Sequence, residues 1–512
     1  MGKQLVSRVA ASLRGPTATL ASRTLHTYLE EAAFHFPDRP WLTEGATSIS
    51  FVEGVRRVAA MAAMLARKGL RNGDRVAILM PNTTAFALLA FACWRQGIVV
   101  VGLNPLYSDG TLRQLLADAR PALLATLAID DLPARAARIG EEGAVPILVL
   151  PQIPIEPSPY AAITPICAET DLAVLQYTGG TTGLPKGAML SHRNISSCVE
   201  QILIDMRDFK RGRESFLALG PFTHVIGSTL TLSLATAVAA EIVIPERFEA
   251  EATARFCLEH RISVIFAVPT VFGALARSDA ARRGDWSHLT YALCGGAPLP
   301  AAIRTEFEIV TGKPLHEGYG CSETASAAAF TPACANYPAG SVGGPMANCL
   351  VEICDGAGGL LEEGETGEIV VSGPNVTEGY WTGERGTPPP EINRRFATGD
   401  SGFIRDGALF VVDRIKDMII ASGFNVYPAQ VEAALRDHPA IAELAIVGVP
   451  DHYRGETVKA VVVLQPGCAL SLIDLQAYSR SRLSPVEVPR VLDVVALLPR
   501  TAVGKIDKKK LR

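Results

Sequence analysis

The sequence predicts an α/β protein: a large N-terminal domain of layered α/β sheets with a β subdomain, then a small α+β domain at the C-terminus. Three observations predict it. Residues 26–170 alternate between segments of helical and of strand periodicity, the pattern of sheets covered by helices. From about residue 340 the chain turns Gly-rich, with short alternating runs. Beyond Asp413–Lys416 a compact α/β pattern continues to Arg512.

Each element follows from its local pattern. "FVEGVRRVAAMAAMLARKGL" spaces apolar residues along one helical face and ends on Gly. "RVAILM" is a short apolar run of strand length, and "PNTTAFALLAFACWRQGIVVVGLN" reads as helix then strand. "ALLATL", "PILVL", "ISVIFAVP" and "LTYALCGG" are further strands, and the last two lead through a turn into a helix. "VEICDGAGGLLEEGETGEIVVSGPNVTEGYW" has the texture of an antiparallel β subdomain. In the last segment, 430–436 and 470–483 read as helices, and 443–449 and 458–464 as strands. The expected division is an N-terminal arm at 1–25, a large domain at 26–413 and a small one at 414–512.

Composition narrows the classes. Apolar residues make up 48% and charged residues 20%, so a folded chain is expected. A net charge of −4 provides no field that would recruit nucleic acid. The ten cysteines form no CxxC pair, which argues against a zinc site and for buried thiols in a reducing, cytoplasmic setting. The charge-free run from Phe216 to Ala240 is long enough for a bilayer, but its Pro221, His224 and hydroxyl residues fit a buried core segment better. The first 25 residues carry Lys3, Arg8, Arg14 and Arg23 and no acid. They read as a loose arm, with mitochondrial targeting or peripheral attachment to a membrane surface as the alternatives. Homodimer formation is compatible with the chain.

The strongest chemical signal is "YTGGTTGLPKGAML", Tyr177 to Leu190, which follows the strand-like run "LAVLQ". Gly179, Gly180 and Gly183 allow backbone amides to turn toward an anion, Thr178, Thr181 and Thr182 add hydroxyl donors, and Lys186 adds a charge. The set suits a polyphosphate. It is not a Walker A loop, because no Ser or Thr follows Lys186.

This loop resembles the phosphate-loop motif of the adenylate-forming (ANL) superfamily of acyl-CoA synthetases, luciferases and peptide-synthetase adenylation domains. Further motifs follow in the family's order. "PFTHVIG" resembles the segment whose His, here His224, lines the acyl site, and "CGGAPL" (with Gly295, Gly296 and Ala297) resembles the adenine-side loop. "GYGCSET" is similar to the segment that stacks on adenine, here through Tyr319, with Gly320 and Ser322 among the ATP-binding residues and Glu323 holding Mg²⁺. "TGD" matches the ribose motif with Asp400, and Arg414 would add a donor. "DRIKDMIIASGFNVYPAQVE" resembles the hinge, Lys416, and the thioester loop with Ser422, Gly423 and Phe424. "PRTAVGKIDKKKLR" is similar to the segment bearing the catalytic lysine, Lys505.

The resemblance implies a mobile C-terminal domain, ATP, Mg²⁺ and CoA as cofactor and co-substrates, and catalysis by Lys505, His224 and Glu323. A carboxylate attacking a polyphosphate brings two anions together, so charge neutralisation and positioning dominate. One departure stands at Glu487 in "LSPVEVPR", where the family usually has lysine.

The acid is expected to be apolar. An ammonium-bearing substrate would need a carboxylate, and none lies between Glu214 and Glu241. Ile226, Gly227, Leu230 and Ala325 are the expected acyl-pocket residues. The loop "YTGGTTG", the hinge "DMIIASGFNVYP" and "GLNPLYSDGTL" resemble medium- and long-chain fatty acyl-CoA ligases. Aromatic acids, and a carrier protein in place of CoA, are the alternatives.

Overall fold

The computed structural model describes residues 10–151, 165–178, 186–206, 208–331, 337–383, 395–421, 424–452, 454–480, 482–500 and 506–512. They group into two compact units: Leu13–Val351 with Val371–Phe396, and a second formed by the stretch ending at Ser12, Glu352–Val370 and Ala397–Arg512. The expected boundary at Asp413–Lys416 falls inside the second unit.

Two large sheets build the first unit. One has six strands in the order Ile147–Leu150, Leu123–Leu127, Arg75–Leu79, Val99–Leu103, Leu172–Thr178 and Lys186–Ser191. All its pairings are parallel except the last, an antiparallel hairpin. The other has nine strands, with a parallel centre running from Leu315–Tyr319 through Tyr291–Cys294, Val264–Ala267, Ser215–Leu217 and Glu241–Ile244 to Pro40–Glu44. Parallel strands are covered on both faces, which is why these runs are apolar throughout rather than alternating. Helix Thr84–Arg95 is buried along its whole length, as a helix apolar all round must be. Helix Phe51–Arg67 buries one face and starts on Ser50, whose hydroxyl accepts the Glu53 N–H at 3.3 Å. That face packs on Trp41, which stacks on Phe51 and meets Phe91 edge-on at 5.1 Å. Gly54 is required there: a Cβ would come within 2.4 Å of the Trp41 ring.

The run Phe216–Ala240 is core. It contains strand residues Phe216 and Leu217, then a π-helix, Ile226–Ser233, and a helix, Leu234–Ala237. Among the described residues no helix is long and apolar enough to cross a membrane. Part of the 1–25 arm is also held: Asn348 brackets Ala18, accepting its N–H and donating to its carbonyl at 2.9 and 2.7 Å.

The second unit contains a hairpin of Phe396–Arg405 and Ala408–Arg414 and a C-terminal sheet ordered Phe424–Val426, Ile419–Ala421, Gly455–Leu464 and Ile441–Asp451. Val491–Val494 adds a parallel strand to Gly455–Leu464. Helices Pro428–Leu435 and Leu472–Ser479 fall where the periodicity places them. Glu487 caps its own turn, accepting the N–H and hydroxyl of Ser484 at 2.8 and 2.7 Å.

Two buried histidines make the first unit acid-sensitive. Burial, then the charge of Arg95, pushes His26 down from 6.5 to about 4. Burial, then His26, pushes His192 down to about 3. His192 accepts the Leu25 N–H on Nδ1 at 3.1 Å, which fits a neutral ring. Both are neutral above pH 6.5, folded or unfolded, so they cost nothing there. As pH falls below 6.5 the unfolded chain takes up protons that the folded one refuses. Unfolding free energy is therefore expected to fall from pH 6.5 toward 4, with a limiting slope of about 1.4 kcal/mol per pH unit for each histidine. Denaturant unfolding across this range should show the decline, and His26→Gln should make it shallower. A flat profile would refute the assignment.

Candidate active site

The hairpin Leu172–Thr178/Lys186–Ser191 presents the Gly/Thr-rich loop, with Thr178 opposite Lys186 in register. Gly179, Gly180, Thr181, Thr182 and Gly183 lie outside the described residues, but the posts of the loop are well anchored. Tyr177 donates its hydroxyl to Asp118 at 2.5 Å. The buried Gln176 amide donates to the carbonyl of Thr223 at 3.0 Å, tying this strand to the segment that carries His224. Asn82 holds the same segment from the other side, donating to the carbonyls of Ala218 and Gly220 and accepting the Phe222 N–H at 2.7 Å.

The His224 segment is a tight turn into the π-helix. His224 N–H donates to Pro221 at 2.9 Å, and the chain returns so closely that a Cβ on Gly227 would sit 2.1 Å from the Pro221 oxygen. Ser233 and Thr236 hydroxyls donate back to the carbonyls of Ser228 and Leu232. Such back-bonding accompanies a widened helix, and π-turns concentrate at functional sites. Ile226 is brought against Gly296, which turns in the left-handed region at φ +77°. Leu230 is buried in the core.

The loop Gly295–Ala297 follows strand Tyr291–Cys294, and its neighbour strand ends on Tyr319. Glu317 ties the two together. It accepts the Leu299 N–H at 3.4 Å and pairs with Arg304 at 2.7 Å. Burial pushes its carboxyl above the usual range, and the Arg304 guanidinium pulls it back. Beyond Tyr319 the chain folds into a one-turn helix, Ser322–Thr324, then passes through Ala325 and Ser326 at φ 51° and 109°. The buried Asn375 pins this turn by donating to the carbonyls of Thr324 and Ala327 at 3.1 and 2.6 Å. Glu323 is buried, and its Oε1 accepts the Tyr380 hydroxyl at 2.7 Å.

The remaining described positions belong to the second unit. Gly399, at φ +73°, forms the turn that leads into Asp400. Asp400 is buried opposite Arg414 across the hairpin, and Arg414 Nε meets Asp400 Oδ1 at 2.6 Å. One carboxylate oxygen of Asp400 is thus engaged by the residue expected to act as a separate donor. Asp413 accepts the Arg414 and Ala429 N–H groups at 2.7 and 2.6 Å, and Asp417, beside the exposed Lys416, pairs with Arg512 at 2.9 Å. Lys505, Ser422, Gly423 and the side chain of Phe424 lie outside the described residues.

Sequence reasoning missed Gln176, Asn82, Asn375 and Tyr380. Asn375 and Tyr380 lie in "GPNVTEGYW", where an Asn and adjacent aromatics in a Gly-rich run were the available signal. Among the described residues no three His, Cys, Asp or Glu converge as a metal cage. A buried carboxylate with one oxygen already hydrogen-bonded fits Mg²⁺, which takes one or two protein carboxylates and completes its shell with phosphate oxygens and water.

The first unit thus carries the strand posts that flank the Gly/Thr-rich sequence and, after a parallel strand, Tyr319 and Glu323, while the second unit carries the Asp400–Arg414 pair. Residues 29–381 match the AMP-binding enzyme family, and 430–505 match the AMP-binding enzyme C-terminal domain. The chain belongs to the AMP-binding enzyme family, the adenylate-forming class that includes the acyl-CoA synthetases. It is 34% identical to a long-chain-fatty-acid–CoA ligase of Bacillus subtilis, over 96% of this chain and 94% of that one. It is also 34% identical to a feruloyl-CoA synthase of Amycolatopsis, over 93% and 96%. The ATP-bound structure of MatB from Rhodopseudomonas palustris superposes with a TM-score of 0.87 at 28% identity, covering 96% of this chain and 98% of that one.

Proposed function

We propose that the protein joins an apolar carboxylic acid, of medium or long chain, to CoA through an acyl adenylate. The carrying observation is the fate of the two acids that flank the acyl segment. Glu214 accepts the Lys210 N–H at 2.9 Å and the Ser263 hydroxyl at 2.5 Å. Glu241 accepts the Thr43 hydroxyl at 2.6 Å. Both carboxylates are committed elsewhere, and the chain between them has none. A substrate ammonium buried there would lack a counter-charge, a costly arrangement.

In the reaction a carboxylate oxygen of the acid attacks the α-phosphorus of ATP, and the bond to the bridging oxygen breaks to release pyrophosphate. The Gly/Thr loop and Lys186 bind the phosphates, and Lys505 offsets the repulsion between the approaching anions. His224, Ile226 and Gly227 line the acyl side; Gly296 and Tyr319 flank the adenine. Asp400 accepts from the ribose, with Arg414 holding its other side. Mg²⁺, held by Glu323, would neutralise phosphate charge. The thiol sulfur of CoA then attacks the acyl carbonyl, its proton passes to solvent, and AMP leaves. Lys416 and the Ser422–Phe424 loop serve this second step.

Pyrophosphate release measured across C2–C18 and aromatic acids, with CoA present, tests the reading. The highest kcat/KM is expected for aliphatic acids of eight carbons or more, on the order of 10²-fold above roughly four-carbon acids, since each additional buried methylene contributes roughly 0.8 kcal/mol. Preference for hydroxycinnamic acids would establish the aromatic reading, which the feruloyl-CoA synthase similarity favours. Thioester formation on a holo carrier protein but not on CoA would overturn the choice of acceptor.

A further inference from the structure

We propose that Tyr380 is a positioning residue that aims the Glu323 carboxylate and holds the Lys186 ammonium in register with it. The inference rests on the adenylation reading above and deepens it.

The short segment Thr377–Trp381 is stapled to both elements that carry those groups. On one side Thr377 N–H donates to the Glu323 carbonyl at 2.6 Å. On the other, Met189 N–H donates to Gly379 at 2.9 Å, Trp381 N–H donates to Gly187 at 2.7 Å, and the Thr377 hydroxyl donates to Met189 at 2.6 Å. Tyr380 bridges to Ala188 between them. The outgoing strand of the phosphate-binding loop and the turn bearing Glu323 are therefore one mechanical unit joined at Tyr380.

The side chain repeats the backbone's connection. Its hydroxyl donates to Glu323 Oε1 at 2.7 Å, and its ring lies under Lys186, with Nζ 5.3 Å from the centroid. A buried carboxylate with one oxygen fixed by a phenol cannot rotate freely, so its other oxygen keeps one direction. Donors to a metal-binding carboxylate set its orientation in this way. The ring face attracts the ammonium through its quadrupole. Tyrosine supplies both contacts; phenylalanine would keep the ring face alone, and leucine neither.

Equilibrium binding of ATP, with Mg²⁺ and in EDTA, separates the two contacts. Tyr380→Phe should bind metal-free ATP like the wild type, yet bind MgATP about tenfold more weakly. The Mg²⁺ concentration for half-maximal pyrophosphate release should rise by a similar factor. Tyr380→Leu should also weaken metal-free ATP, by about threefold or more, because Lys186 loses its platform. Combining Tyr380→Phe with Glu323→Gln should weaken MgATP no further than Glu323→Gln alone. MgATP binding by Tyr380→Phe that matches wild type would overturn the proposal. So would equal loss of metal-free and metal-bound ATP, which marks a purely structural residue. Failure of the wild-type protein to bind ATP in either buffer would instead sink the adenylation reading.

Discussion

Lys505→Ala is expected to lower acyl-adenylate formation by about 10²–10³-fold while sparing thioester formation from supplied acyl adenylate. The first step joins two anions, and a cation placed between them acts mainly on the transition state. Removing one such preorganised partner typically costs about 3–4 kcal/mol in the barrier. The second step starts from a mixed anhydride whose carbonyl is attacked by a thiol, so the same charge has little to offset. The measurement is pyrophosphate release from acid and ATP, set beside AMP release from synthetic acyl adenylate and CoA. Equal loss in both assays would refute a role confined to the first step. The lysine is one of 11 in the chain, and three of these, Lys186, Lys416 and Lys505, occupy positions of the family motifs.

Gly320→Ala should be nearly as damaging, for a steric reason. A Cβ at this position would lie 2.2 Å from the Ser326 oxygen and 2.6 Å from Ala327 Cα, both backbone atoms. The neighbouring chain cannot retreat easily. Ala325 and Ser326 already sit at positive φ, and Asn375 clamps the carbonyls on either side of them. Overpacking of this kind costs about 1–3 kcal/mol of stability. A displacement of about 1 Å of Tyr319 and Glu323 would lower kcat/KM by up to about 100-fold. Gly318→Ala is the matched control: its Cβ would meet nothing nearer than 3.4 Å, so it should stay close to wild type. Thermal unfolding and steady-state kinetics on both variants decide the matter. Equal behaviour of the two would show that the turn yields where the geometry says it is pinned.

The family of the protein was legible in its sequence, because the motifs at Thr178–Lys186 and around Glu323 and Asp400 keep their residue types at short, local spacing. The same holds for the fold class. The all-apolar runs of Arg75–Leu79 and Val99–Leu103, and the one-sided periodicity of Phe51–Arg67, arise from backbone geometry repeated every two or 3.6 residues, so they can be read without knowing their neighbours. The π-helix at Ile226–Ser233 could not be read this way. Its widening depends on a close return to Pro221 and on hydroxyls turned back on the chain, neither of which leaves a period.

Pairings between distant segments were decided by tertiary structure alone. Tyr380 and Glu323 are 57 positions apart, and Gln176 and Thr223 are 47 apart. Nothing local in either sequence names the partner. The commitment of Glu214 to Ser263, 49 positions away, is of the same kind, and it turned an absence of acids in the acyl segment into an argument about charge. Local periodicity and motif spacing determined the elements and the chemical class, because those forces act within a few residues. Packing determined which partners the buried carboxylates take, because hydrogen bonds in the interior are settled by whichever strands the sheets bring side by side.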